Sequence, residues 1–242
     1  MMEDFHQTAG EYDVYAEQYS AIVETREAGG VNSDPFGILP AMLALLGKLA
    51  GLRALDAGCG EGYLARVLAT EGARVTGIDI SPRLIWKARE KDPEGAIDFR
   101  VADLTKPLLE EEGAFDVVAS YLVLNDVRDY RSFITTLSRA LKRGGRMAVA
   151  LNNPYGAVVH HHITDYFATG ARSPYRGLWA LGVKTYHHHR TLENYLDAFL
   201  EAGLHLTKLR DLDAQSEIRG RQTGLSEDGR FPRFMVLGFV RP

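Results

Sequence analysis

The chain has 242 residues, 45% of them hydrophobic and 25% charged, with a formal net charge of −4. That is enough apolar material for one sizeable domain with a real core, and it excludes a disordered chain. The slight acidity offers no general attraction to nucleic acid or an anionic membrane, and the single cysteine excludes an internal disulfide framework and fits a reducing cytosol.

In chain order, residues 1–20 mix polar and aromatic side chains without an apolar signal core, and nowhere does an apolar run approach the ~20 residues of a membrane span. A cytoplasmic protein is expected. The first 50 residues are helical and amphipathic in places, notably Leu39–Leu49, and are expected to cover a site on the domain that follows. From residue 52 strand-like and helix-like segments alternate. Arg53–Ala57 predicts a strand, Tyr63–Thr70 a helix closed by Gly72, and Arg74–Asp79 a second strand. Ser81 is a natural N-cap with Pro82 at the first helical position, so a helix runs to about Lys91. Ile97–Val101 alternates like a strand, and Phe115–Ser120 is a strand of buried type. Phe133, Ile134, Leu137 and Leu141 carry helical spacing over Tyr130–Leu141. Gly144-Gly145 predicts a turn into a fifth strand, Arg146–Leu151. This rhythm predicts a parallel sheet with helices on both faces.

After Leu151 the rhythm breaks. Residues 152–186 hold several glycines and prolines among aromatics, the composition of a long lid-like insertion. Thr191 then caps a helix over Leu192–Ala202, ended by Gly203. Leu204–Arg210 and Arg233–Val240 predict a closing strand pair.

The densest chemistry lies at Leu55-Asp56-Ala57-Gly58-Cys59-Gly60-Glu61-Gly62-Tyr63. Such a turn lets a backbone lie flat against a ligand at the carboxyl end of a strand. A dinucleotide fingerprint would place its third glycine where Tyr63 stands, which speaks against NAD. No Lys-Ser or Lys-Thr pair follows, so it is not a triphosphate-cradling loop. Asp56 and Glu61 would repel a pyrophosphate and suit a ligand carrying an ammonium or sulfonium group. Two more acids end strands. Asp79 follows Asp56 by roughly the ~20 residues expected of a ribose-gripping carboxylate, and Asp103 could accept a bond from an adenine amine. Each alone could equally be a solvated turn residue; three in register with the glycine turn point to an adenosyl ligand.

These segments resemble the class I S-adenosylmethionine-dependent methyltransferases, small-molecule members above all. Leu55–Gly62 is similar to their first motif and Gly77-Ile78-Asp79-Ile80-Ser81 to their second. Ala102-Asp103-Leu104 and Phe115–Ser120 are similar to the third and fourth, and Leu141–Arg146 to the turn into the fifth strand. The likeness covers about residues 52–151. It implies an α/β fold with a Rossmann-like, doubly wound seven-stranded sheet, the last strand antiparallel. It also implies a helical N-terminal cap over residues 1–50 and a methyltransferase domain over 51–242, with the lid after strand five at about 152–186.

The resemblance implies S-adenosylmethionine as cofactor and S-adenosylhomocysteine as product. Gly58 and Gly60, with Cys59 between them, would lie against the methionine and ribose parts, and Asp56 would hold the loop or the methionine ammonium. Asp79 would take the ribose, with Ile80 against adenine. Asp103 would face the adenine amine, with Ala102 beside it and Leu104 on the ring plane. Ser120 would offer its carbonyl to the ammonium, next to Tyr121. Tyr12 and Tyr19 resemble an N-terminal aromatic segment that closes over the cofactor; packing of an amphipathic helix is the plainer alternative. Cys59 as a nucleophile is disfavoured, because the loop wants a small residue and no base for it is evident.

Transfer of an activated methyl group needs alignment above all, and a general base only where the acceptor holds a proton. The candidate bases are the two runs His160-His161-His162 and His187-His188-His189. His189 is the catalytic candidate, since His189-Arg190-Thr191 is similar to a His-Arg-Thr in small-molecule members. Asn153-Pro154 departs from the His-Pro that many of them carry. Neighbouring histidines diverge in a strand or helix, so no metal site is expected. Tyr155, Tyr166, Phe167, Tyr175, Trp179 and Tyr186 would wall an acceptor pocket or merely pack the lid. The expected activity is methyl transfer to O, N or C of a small molecule, without nucleic acid or membrane as partner. The alternatives are a non-catalytic S-adenosylmethionine-binding protein and a nucleic-acid methyltransferase.

Overall fold

Apolar residues that alternate along each strand need covering on both sides, and helices supply the cover. The computed structural model describes residues 10, 12–18, 20–21, 24, 34, 36–159, 163–170, 172–175, 185–212 and 232–242. In chain order they form α1 (Ile38–Leu46), β1 (Arg53–Ala57), α2 (Tyr63–Thr70), β2 (Arg74–Asp79), α3 (Pro82–Glu90), β3 (Asp98–Val101) and β4 (Phe115–Tyr121). There follow α4 (Tyr130–Ala140), β5 (Leu141–Asn152), α5 (Pro154–Val159), β6 (Arg172–Tyr175), β7 (Thr185–His188), α6 (Leu192–Glu201), β8 (His205–Leu212) and β9 (Phe234–Val240).

Seven of the described strands make one sheet in the order β3-β2-β1-β4-β5-β9-β8, and β6-β7 form a separate hairpin. Strands β1 to β5 are mutually parallel. β9 runs antiparallel to both β5 and β8. This is the Rossmann-like sheet expected from the sequence, with the antiparallel strand last in the chain. The two faces follow the strand alternation. Ala54, Val117, Ala148 and Val236 join one buried cluster with Met42 of α1, Leu68 of α2 and Ile85 of α3. Leu55, Val118, Met147 and Leu237 join the other with Phe133 of α4 and Phe199 of α6. Part of the N-terminal region, α1, is therefore core: it lies under β5 and β9 rather than over a site.

Local signals set several boundaries. The Ser81 hydroxyl caps α3 by accepting from Leu84 N at 3.1 Å, with Pro82 at the first helical position. Thr191 and Asn194 form a reciprocal capping box at the start of α6.

The fifth strand differs from the expectation, beginning at Leu141 rather than Arg146. Leu141 pairs with Phe115, then the register shifts so that Val117 faces Arg146. The Gly144-Gly145 stretch is held as a bulge: Gly144 N donates to Arg241 O at 2.6 Å, and Arg241 N donates to Gly145 O at 3.1 Å. A contact almost a hundred residues away thus turns an expected turn into strand. The insertion after β5 holds α5 and the β6-β7 hairpin.

Candidate active site

The strand order reverses between β1 and β4, and an open α/β sheet binds ligands where the carboxyl ends diverge at such a point. Three segments converge there: the glycine turn after β1, the acid ending β2, and the residues following β4.

The glycine turn is held by β2. Gly58 N and Cys59 N both donate to Ile78 O, at 2.8 and 3.0 Å. Gly60 N donates to the Asp79 carboxylate at 2.8 Å, and Ser81 N donates to its other oxygen at 2.9 Å. Gly58 has φ +76°, and a Cβ built there would lie 2.5 Å from Val123 Cγ2. Any side chain at 58 is therefore strained twice, by its backbone and by its neighbour. Val123 reaches this position because Leu122, just past β4, has φ +60°. A left-handed leucine is uncommon and costs energy that the surrounding packing must hold. Nothing local in Tyr121-Leu122-Val123 signals it.

Asp56 is buried at 1% exposure, and its Oδ2 has no hydrogen-bond partner. Burial, reinforced by the nearby Asp79 carboxylate, pushes its pKa up from 3.8 to about 8. A buried carboxyl oxygen without a partner, at the foot of a turn too tight for side chains, suits a cationic group on the ligand. Asp79 is also shifted upward by burial, against the pull of the Ser81, Gly60 and Ile80 amides. Glu61 behaves differently from its companion acid. It is buried, accepts from Lys91 Nζ at 2.7 Å and from the Ser20 hydroxyl, and so is neutralised internally. It is a structural ion pair, not part of a cation site.

The other sequence-named positions group around these. Ser120 is buried and donates its hydroxyl to Ala57 O at 3.0 Å, tying β4 to β1. Tyr121 meets the edge of Tyr63 at 6.1 Å between centroids. Asp103 spends one oxygen on Thr105 N and Thr105 Oγ1, at 2.9 and 2.6 Å. Ala102 N donates to Asp79 O at 3.0 Å, which brings the Ala102-Asp103-Leu104 segment beside β2, with Leu104 buried and Ile80 half-buried. Cys59 is buried, and burial together with Asp56 and Asp79 pushes its thiol well up, opposite to what a nucleophile needs. Tyr19 lies outside the described residues.

The segment around residues 12–20 reaches across these strand ends. Tyr12 donates its hydroxyl to Asp126 Oδ2 at 2.8 Å, Asp13 accepts from the Ser81 hydroxyl, and Ser20 bonds Glu61. Glu17 bridges Arg83 and Lys87 on α3 at 2.7 and 2.8 Å.

Beyond β4 the structure brings together residues whose proximity the sequence does not signal. His188 N donates to Asn125 O at 2.8 Å, hooking β7 to the loop after β4. The same hook sets His187 Nε2 3.3 Å from Asp126 Oδ1. The histidine expected to be catalytic, His189, lies differently: its Nε2 is 2.7 Å from Tyr166 O, its ring meets the Tyr166 ring edge-on, and burial holds it below its ordinary pKa. Arg190 explains its place beside these histidines. It is buried, donates to Leu124 O, Val127 O and Arg128 O at 3.2, 2.6 and 2.8 Å, and lies 4.3 Å over the Tyr130 ring. Asn153 caps α5 by accepting from Tyr155 N at 3.0 Å, and donates to Asp211 at 2.8 Å.

Of the aromatics after β5, Tyr155 and Tyr166 stack at 5.0 Å and Phe167 meets Tyr166 edge-on. The Tyr166 hydroxyl also accepts from Leu192 N at 2.9 Å, so this group packs the insertion onto α6. His160-His161-His162, Trp179 and the side chain of Tyr175 lie outside the described residues. Among the described residues no group of three or more metal-binding side chains converges, and no helix is long and apolar enough to cross a membrane.

A doubly wound sheet of this order, with a glycine turn and strand-end acids at its switch point, defines the class I methyltransferase fold. Residues 55–149, about two fifths of the chain, match the family described as a methyltransferase domain. It is 39% identical over 107 residues to a ubiquinone biosynthesis O-methyltransferase of Xylella fastidiosa, a match spanning 43% of this chain and 44% of that one. The chain thus matches under half the length of the curated relatives. A solved S-adenosylmethionine-dependent methyltransferase from Mesorhizobium loti superposes with a TM-score of 0.69 at 27% identity, over 84% of this chain and 96% of that one. One from Listeria monocytogenes does so with a TM-score of 0.71 at 20% identity, over 85% and 97%.

Proposed function

We propose that this protein transfers the methyl group of S-adenosylmethionine to a small-molecule acceptor, with S-adenosylhomocysteine as the second product. The observation that carries the reading is the pairing of the glycine turn with the orphaned Asp56 oxygen. An adenosyl ligand with a cationic end satisfies both, whereas a pyrophosphate would set its negative charge against the Asp56 carboxyl. The cofactor supplies an electrophilic methyl group when bound. Gly58, Cys59 and Gly60 let it lie against the backbone, and Asp56 meets its positive end. Asp79 takes the ribose hydroxyls, with Ile80, Ala102, Asp103 and Leu104 around the adenine. Ser120 and Tyr121 close the methionine side.

Residues 1–50 act in part as a cap, residues 51–242 as the transferring domain, and 152–186 as a lid beside the acceptor. The O-methyltransferase names of the curated relatives favour an oxygen acceptor of small size. Titration calorimetry with S-adenosylmethionine, S-adenosylhomocysteine and NAD tests the reading. Binding of the first two and not the third is expected; failure to bind either of the first two would overturn it. Binding without turnover across a metabolite panel with labelled methyl donor would favour a non-catalytic binder.

A further inference from the structure

The Asp126–His187 pair joins the loop after β4 to β7, with His187 Nε2 3.3 Å from Asp126 Oδ1. Asp126 follows β4, four residues beyond the left-handed Leu122 that bends the chain toward Gly58. His187 comes from β7, more than sixty positions away, and the His188–Asn125 backbone bond sets the approach. Both side chains are largely enclosed, at 15% and 10% exposure for His187 and Asp126. The carboxylate therefore acts on the imidazole in a medium where charge interactions are stronger than in water. Asp126 receives Tyr12 on its other oxygen, so the segment that crosses the cofactor site is also bonded to this carboxylate. Arg190 fixes the carbonyls on both sides of Asn125-Asp126, which holds the loop in one shape.

We infer that His187 is the general base of the reaction, oriented by Asp126, and that the acceptor is a hydroxyl of phenolic or enolic type. The inference rests on the methyltransferase reading above. The pairing is the logic of a base fixed by a carboxylate: the acid sets the ring's tautomer and orientation and stabilises the imidazolium that forms. An amine that is neutral at the working pH carries its own lone pair and needs no such partner, whereas a hydroxyl must lose its proton. In the step, the acceptor O–H proton passes to a ring nitrogen of His187 and the oxygen forms a bond to the methyl carbon. The sulfur–methyl bond breaks with its electron pair going to sulfur, which neutralises the sulfonium. The imidazolium then releases the proton to solvent. His189 keeps its ring on the Tyr166 carbonyl and holds the lid.

The test compares two acceptor probes on the full-length chain. One is an ordinary phenol, with pKa about 10 like tyrosine; the other is a nitrophenol already ionised at the assay pH. His187→Ala and Asp126→Asn are each assayed for turnover on both, with calorimetric affinity for S-adenosylhomocysteine and thermal unfolding as controls. His187→Ala is expected to lower kcat on the phenol by about 10²-fold or more, to spare the nitrophenol within a few-fold, and to leave cofactor affinity unchanged. Asp126→Asn is expected to act in the same direction and more weakly. Equal losses on both probes, or no loss, would overturn the assignment of the base. Wild type that binds cofactor and methylates amines but neither hydroxyl probe would overturn the hydroxyl acceptor alone. Wild type that binds no cofactor would remove the underlying reading with it.

Discussion

Asp56→Asn is the substitution whose consequences the geometry specifies most fully. The side chain is buried beside Asp79, with one oxygen unpartnered, and its pKa rises from 3.8 to about 8. Between those values the folded chain holds a proton that the unfolded chain has lost, so its stability falls as pH rises. For one such group the slope approaches about 1.4 kcal/mol per pH unit, and integrating from pH 5 to pH 8 gives at most about 4 kcal/mol. Asparagine keeps the shape and removes the titration. The stability difference between Asp56→Asn and wild type should therefore grow in the variant's favour by up to that amount over the same range, as other groups cancel. Urea unfolding at a series of pH values, followed by circular dichroism, measures it. A difference that stays flat from pH 5 to pH 8 would refute the reasoning. The same variant should lose affinity for S-adenosylmethionine, since the cationic end would then face a neutral amide. Wild type should release a proton on binding the cofactor near neutral pH, visible as a dependence of the calorimetric enthalpy on buffer ionisation.

Asp79→Ala removes the carboxylate that anchors Gly60 N and Ser81 N and would hold the ribose. Calorimetry should find cofactor affinity about 10- to 100-fold weaker, the worth of one or two charged hydrogen bonds. Arg190→Met leaves the Leu124, Val127 and Arg128 carbonyls without their donor and should cost about 3–5 kcal/mol in denaturant unfolding; a loss under 1 kcal/mol would count against the loop-holding role. Lys91→Met strands the buried Glu61 carboxylate and should cost about 3 kcal/mol, with Glu61→Gln in the same chain restoring most of it. The acidic stripe of Asp13, Glu17 and Glu24 faces Arg83, Lys87 and Lys91. Raising the salt concentration should therefore speed proteolysis around residues 12–24 while leaving the sheet protected.

Much of the architecture is written locally. β1, α2 and β2 run over the residues that apolar alternation and glycine positions indicate, because strand period, caps and glycine turns act within about four residues of one another. The glycine turn and the acids at 56, 79 and 103 are legible for the same reason: the end of a strand is a local event. What decides the site is longer in range. Asp56 and Glu61 look alike in sequence, yet one is left with an orphaned oxygen while the other pairs with Lys91 and accepts from the Ser20 hydroxyl. Gly144-Gly145 looks like a turn, and Arg241 makes it part of a strand. Three histidines in a row are equivalent on paper. β7 ends at His188, and the hook between His188 and Asn125 sets His187 beside Asp126, while His189, past the end of the strand, meets Tyr166. Tyr12 and Asp126, bonded across 114 positions, make the same point beyond β4. The sequence by itself determined the fold and the kind of ligand, since both follow from period and composition near each residue. The tertiary structure decided which charges remain unpaired and which histidine meets an acid, because those depend on segments that only packing brings together.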